Sequence, residues 1–465
     1  LFTSTLSTSP IRLNFKINFA VDSIYEPMRI RNFFLWLLLV LCNYGLSSQT
    51  ITHDWWDEAK RIERYEGQII DTLKEGHWTT WYPDGTKESE GEYINGKAVG
   101  QWKFWYPNGN LKSVLNVENG PCWLYHQNGK ISMKWENTEG KRNGMLEEYD
   151  SVGQLIRRIP FIMGLKHGFS ESFYPSGQKS FEGTYKNDSL DGKAIWYYPQ
   201  GNKEMEGNLH NELQEGWWVF YHPSGLKGSE GEFIKGKRNG KWIFYYETGE
   251  KWREGEYLND QRQGHWITFY ETGAKFQEGD FINDKETGLW VNYYDNGKIN
   301  YRGYFVDGQM DGLWEAWYED GKMRYQHHYA LGSAHGKWIY FYPNGKKKYE
   351  GYYLNGKKNG LWIEYYENGA IEHKANYMEG RKNGTAYFYV ANGLLVRQQN
   401  FLNDDPHGDF ISFHPNGEKA NEGAYYKGIP IGIWKFYDEN GNLVMSKTYN
   451  NSFPSGKNAK TTKKN

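Results

Sequence analysis

Apolar and polar positions along this chain follow a 24-residue period. In Gly336 to Asn359 (GKWIYFYPNGKKKYEGYYLNGKKN) an aromatic and β-branched run meets a polar turn. A second apolar-rich run and a second polar turn follow. The pair Gly336/Gly345, nine residues apart, recurs as Gly76/Gly85, Gly100/Gly109, Gly120/Gly129 and Gly144/Gly153. It then returns every 24 residues to Gly432/Gly441, sixteen copies in all. One interval departs: Gly109 to Gly129 is 20 residues, a loss of four. A period of this length marks one supersecondary unit stacked repeatedly on itself.

Each unit reads as a β-hairpin. Lys337 to Tyr342 suits a pleated surface. Pro343-Asn344-Gly345 stops it, with Asn and Gly both tolerant of positive φ. Lys347 to Leu354 forms a second strand, and Asn355-Gly356 to Gly360 turns the chain into the next unit. The expected fold is all-β, a repeat of antiparallel β-hairpins forming an elongated, twisted meander sheet of about 32 strands and roughly 150 Å if uncurled. A lone hairpin is marginal in water, so each unit leans on its neighbours.

We number each unit from its first glycine, as position 0. Position +5 is aromatic in every unit, from Trp81 and Trp105 to Phe341, Tyr365 and Tyr437. Position +2 is Trp in ten: Trp78, Trp102, Trp218, Trp242, Trp266, Trp290, Trp314, Trp338, Trp362 and Trp434. The second strand adds aromatics such as Tyr93, Phe233, Tyr257, Phe281 and Tyr353. Positions +2 and +5 point to opposite faces of a regular strand unless a bulge re-aims one row. Trp218, Trp242, Trp266, Trp290, Trp314, Trp338 and Trp362 are the candidate binding surface, since such rows stack on sugar rings or cage quaternary ammonium groups. The competing and favoured reading makes these aromatics the core, because a thin repeat fold has nothing else to bury.

The motif G-x-W-x-x-Y-Y-x-x-G-x-x-x-x-E-G-x-Y-x-x-G-K is legible in Gly240 to Gln263 and Gly360 to Asn383. It resembles the variant MORN repeat and the secreted bacterial proteins labelled YwqK-type antitoxin components. The resemblance covers Gly76 to about Tyr449. It implies hairpin repeats in an elongated, twisted antiparallel sheet. It also links the chain to protein scaffolding and membrane-surface contact. The hairpins of choline-binding cell-wall proteins are similar in outline, which keeps a glycan or envelope ligand in view.

Outside the repeats, residues 1–27 are aperiodic and read as upstream translation. From Met28, a basic start (Arg29, Arg31), an apolar run at 33–42 and a small-residue exit at Gly45 to Ser48 form a signal peptide, residues 28–48. Residues 49–75 are a lead-in or N-terminal cap, with a short helix expected in its DEAKRIER run. Units fill 76–449, and 450–465 is a disordered basic tail. Cys42 lies in the targeting segment, which leaves Cys122 as a buried structural thiol with no disulfide framework.

Charge adds little, since 55 basic residues against 57 acidic ones give no electrostatic case for nucleic acid. Three stretches mimic a P-loop: Gly91 to Ala98, Gly231 to Arg238 and Gly351 to Lys358. Each lacks the Ser or Thr and the following helix that phosphate binding needs, so the match is attributed to turn-glycine spacing. His327, His328 and His335 show no metal-ligand spacing. Glu230/Glu232, Glu254/Glu256 and Glu350 recur with the repeat, whereas an active site is a singular departure from regularity. No catalytic, cofactor or metal residues are therefore expected. Units at Gly120, Gly144 and Gly168 lack the +2 Trp, Ala194 and Ala386 replace it in two others, and the four-residue deletion falls beside the Gly120 unit. That region is a candidate kink or partner contact, with drift as the simpler explanation. The expectation is a non-enzymatic, exported protein-interaction scaffold at the cell envelope, with an unknown protein as partner. The alternatives are a glycan- or cell-wall-binding module and the antitoxin of a toxin–antitoxin pair.

Overall fold

The computed structural model describes residues 50–450. The segments expected to be upstream translation and a signal peptide, and the tail beyond Asn450, lie outside them. Thirty-five strands and no helix make up the described residues, and all join one antiparallel sheet. Each strand pairs with its neighbours in the chain, as Lys237–Tyr245 does with Lys227–Ile234 and Lys251–Leu258. Thr50–Trp55 and Leu443–Tyr449 do not pair with each other, so the sheet is open. The three strands beyond the expected 32 are Thr50–Trp55, Glu63–Ile70 and the short Leu165–Lys166.

The lead-in corrects one expectation. It is a hairpin rather than a helix: Asp57 Oδ1 accepts from the backbone N–H of Arg61 and Ile62, which closes a turn across the DEAKRIER run. Its second strand pairs with Leu73–Trp81 and continues the sheet.

Two kinds of turn alternate, one at each side of the sheet. At the longer turn the backbone N–H of Tyr246 donates to Glu250 O and that of Gly249 to Tyr246 O. Only the glycine has positive φ there, and all sixteen such glycines lie between 80° and 97°. The turn is thus a three-residue loop closed by a glycine bulge. The Asn-Gly of Pro343-Asn344-Gly345 does not use two positive-φ residues. At the shorter turn both central residues do, as in Asn355 (48°) and Gly356 (77°) or Asn259 (51°) and Asp260 (72°). This two-residue turn matches the right-handed twist of the strands it joins.

The strand after it begins earlier than periodicity suggests. Ser333–Phe341 runs through Gly336 instead of starting beyond it. Gly336 has φ of 75° and lies in a bulge that puts the extra residues on its own strand: His327 faces Trp338 while Tyr329 faces Ala334. Every position 0 glycine has positive φ. The deletion beside Gly120 shortens Leu111–Asn116 and Gly120–Tyr125 to six residues each, and only Ser113 and Val114 retain direct partners between them. Asn116 replaces the lost ladder: its N–H donates to Cys122 Sγ, and its Nδ2 donates to Pro121 O.

Candidate functional site

The bulge leaves positions +2 and +5 on opposite faces. Trp242 stacks with Phe244, two residues on, at 5.9 Å between ring centroids. Tyr245 instead donates its hydroxyl to Glu230, which neighbours the Gly231 beneath Trp242 and so points the other way. The first face carries the tryptophans; the second carries the Tyr245-type row.

On the first face the tryptophans are core. Trp218, Trp242, Trp266, Trp290, Trp314 and Trp362 are all buried, Trp218 to 1% exposure, and Trp338 is half-buried. As a ligand-stacking row, the six buried tryptophans offer no open ring face. Three features seat each indole. All ten +2 tryptophans donate Nε1–H to the backbone carbonyl ten residues earlier, at 2.9–3.3 Å. That carbonyl borders the bulge, so the indole satisfies both itself and an interrupted ladder. Second-strand aromatics meet the indoles edge to face in a file that runs from Phe233 to Trp314, as in Phe233–Trp242 (5.1 Å, 86°), Trp242–Tyr257 (6.1 Å, 86°) and Tyr257–Trp266 (5.1 Å, 86°). Finally, nine indoles lie flat on a glycine of the preceding strand, where a Cβ would come within 2.1–2.3 Å of the ring. Those glycines, Gly231 and Gly351 among them, have no positive φ, so they are seats and not turns. The P-loop likeness therefore pairs one seat glycine with one turn glycine, and a strand follows each copy.

The tenth seat is His327, whose ring lies 3.7 Å from that of Trp338 at an interplanar angle of 13°. Burial pushes its pKa down to about 3, and its Nε2 has no hydrogen-bond partner. His328 faces away and meets Lys337 O through Nδ1, so the two histidines share no ligand, as their alternation implies. Where +2 is not Trp, the seat fills otherwise: Ala386 faces Ala375, and Cys122 is fully buried with burial raising its thiol pKa.

The second face is a polar lattice over a lane of aliphatic residues such as Ile243 and Ile267. In eight units a Lys at +11 pairs with the Glu at +14, at 2.6–3.3 Å. A Tyr at +5 of the next unit often completes the group, as in Lys203–Glu206–Tyr221 and Lys227–Glu230–Tyr245. Burial and the Glu206 hydrogen bond push the Tyr221 pKa up to about 12. Burial would raise Glu206, but hydrogen bonds from Lys203, Tyr221 and Lys193 outweigh it and hold the carboxyl at about 2. The +14 acids of these eight units are thus anions with fixed counter-ions. One more ladder went unseen in the sequence: in thirteen units the Tyr or His at +6 contacts the +5 carbonyl of the following unit, at 2.6–3.3 Å.

Between these constant rows runs a variable one. On the tryptophan face, positions +4 and +13 face each other across every hairpin and across every junction between units. The pairs differ in chemistry: Phe244/Arg253, Thr268/Gln277, Asn292/Tyr301, Tyr340/Tyr349, Glu364/His373 and Ser412/Asn421. Tyr325, Tyr340 and Tyr349 form a half-buried aromatic run with centroid spacings of 6.1 and 5.4 Å. A shallow hollow of 470 Å³ lies at the longer-turn edge, lined by Tyr270, Glu271, Thr272, Tyr294, Asp295 and Glu319. Two groups of metal-competent side chains occur among the described residues, His53/Glu63/Glu66 and Glu364/Glu372/His373. Sequence spacing pointed to neither.

Comparison with curated proteins finds no match. Among solved structures, the chain is similar to a TcdB2-TccC3-Cdc42 crystal structure at 9% identity, over 87% of this chain and 26% of that one, with a TM-score of 0.13. A Photorhabdus luminescens Tc holotoxin pore structure gives 9% identity, 82% and 24% coverage and the same TM-score. The chain spans about a quarter of the length of those solved chains. The family model for the MORN repeat variant matches residues 74–95, 98–119, 166–187, 190–211, 238–259, 286–307, 310–330, 334–355, 358–379 and 430–451. Ten segments of this chain accordingly match the MORN repeat variant.

Proposed function

We propose that the chain is a non-enzymatic protein-interaction scaffold, exported through Met28–Ser48 to the cell envelope. The observation that carries this reading is the variable row. Of the sixteen units, ten keep the +2 tryptophan and eight the Lys–Glu pair, and nine of the ten indoles keep a seat glycine, while the +4/+13 pairs change from unit to unit. Residues that build a repeat recur; residues free to differ are available for recognition where they stay half-buried, as Phe244, Tyr340 and Glu364 do, while Asn292 and Ala316 in the same row are closed off. The Tyr325–Tyr340–Tyr349 run is the centre of the contact, since rigid aromatics with polar tips dominate protein interfaces. MORN repeats generally act as protein or membrane interaction modules, which agrees with this use. A glycan ligand is disfavoured because the tryptophan faces it would stack on are covered.

Cross-linking in intact cells followed by pull-down tests the proposal. The wild-type chain is expected to capture a protein partner in the exported fraction. The double variant Tyr325→Ser/Tyr349→Ser should reduce that capture at least about tenfold with an unchanged far-UV spectrum. Retained capture by the variant, or residence of the chain in the cytoplasm, sinks the reading.

A further inference from the structure

The repeat supplies its own reference for one group of side chains. In eight units the +14 carboxylate holds the ammonium of the Lys at +11. In the first hairpin Glu66 occupies the +14 place, one residue before the seat glycine Gly67, on which Trp78 lies. The place of the lysine is taken by Glu63, which faces Trp55 across the strands. His53 stands directly opposite Glu66. Where the frame elsewhere sets a carboxylate against a cation, this hairpin sets two carboxylates and an imidazole. Their ligand atoms lie within 4.8 Å of one another, and His53 Nδ1 is 3.3 Å from Glu63 Oε1. The nearby arginines are engaged elsewhere, Arg64 with Asp54 and Arg61 with Asp57.

We propose that His53, Glu63 and Glu66 bind a divalent transition-metal cation, which takes the position filled by a lysine ammonium in eight of the repeat units. One imidazole nitrogen and two carboxylates suit a borderline cation such as Zn²⁺, with water completing the shell. The site ties the first strand to the second, so the metal would fasten the end of the sheet. The group at Glu364, Glu372 and His373 lacks this rationale, because Lys358 Nζ already stands 3.9 Å from Glu364.

Isothermal titration of the chelator-treated full chain with Zn²⁺ tests the site. Glu63→Lys is the informative variant, because it installs the Lys–Glu pair that eight other units fold with. Wild type is expected to take up one equivalent more than Glu63→Lys, and His53→Gln to bind that equivalent at least tenfold more weakly. All variants should keep the wild-type circular dichroism spectrum. Equal uptake by wild type and Glu63→Lys overturns the proposal, as does wild-type affinity in His53→Gln. Zinc held at Glu364, Glu372 and His373 would appear equally in all three proteins and would not produce the difference.

Discussion

Gly231 and Trp242 are a single device: the glycine has no side chain so that the indole can lie on its backbone. A Cβ at Gly231 would reach within 2.3 Å of the Trp242 ring, and the ring cannot lift without losing its hydrogen bond to Glu232 O. Gly231→Ala should therefore destabilise by about 1–3 kcal/mol, the range for forced overpacking. The pair Ala375/Ala386 shows the compensated state already present in this chain. In a Gly231→Ala/Trp242→Ala cycle, the glycine substitution should thus cost less than about 1 kcal/mol once the indole is gone. Urea denaturation of the four proteins measures the coupling, and additive costs would refute the interlock. Nothing in the sequence distinguished Gly231 from a turn glycine. The distinction lies in φ and in which strand the residue faces, and eleven residues of chain separate the partners.

At the scale of the strand pair, the unit is held by opposite means on its two faces. One face is an edge-to-face aromatic file; the other is the Lys–Glu–Tyr lattice. Strand positions and the existence of both turns were legible from alternation and from Asn, Asp and Gly placement. The bulge was not, because a position 0 glycine with positive φ inside a strand looks in sequence like a glycine between strands. The bulge nevertheless decides the register and explains why Trp stands where it does. The lattice also carries a pH signature. Glu206 titrates at about 2 in the folded chain against an ordinary value of 4.5. A depressed carboxyl pKa adds stability above the unfolded value, and that stability is lost as pH falls from about 4.5 to 2. Glu206→Gln should remove about 2 kcal/mol at pH 7 and nothing near pH 2, so its stability curve converges with wild type in acid. Thermal melts at stepped pH report this, and a constant offset across the range would contradict it.

For the sheet between Thr50 and Asn450, the governing fact is that each strand touches only its neighbours, so stability is a sum over units and junctions. The array was legible in the sequence because sixteen copies, all but one interval equal, leave little else to build. What covers each face was not, since it depends on cross-strand partners that no single period displays. The departures carry the individuality of the chain, from His53 and Glu63 in the first hairpin to the changing +4/+13 pairs. This predicts how the sheet responds to excision. Removing residues 264–287, one full period, joins Gln263 to Gly288 and lets Trp290 settle on Gly255 in place of Trp266. All junction types survive, so the shortened chain should keep the wild-type circular dichroism per residue and melt within about 5 °C of wild type. Removing residues 264–275, half a period, would set one second-type strand directly after another. The shorter turn would then join strands whose seats and indoles no longer face, and the flanking units should lose cooperative unfolding. Equal melts for the two deletions would mean that generic strand pairing holds the sheet together, and that the glycine-seated indole file does not.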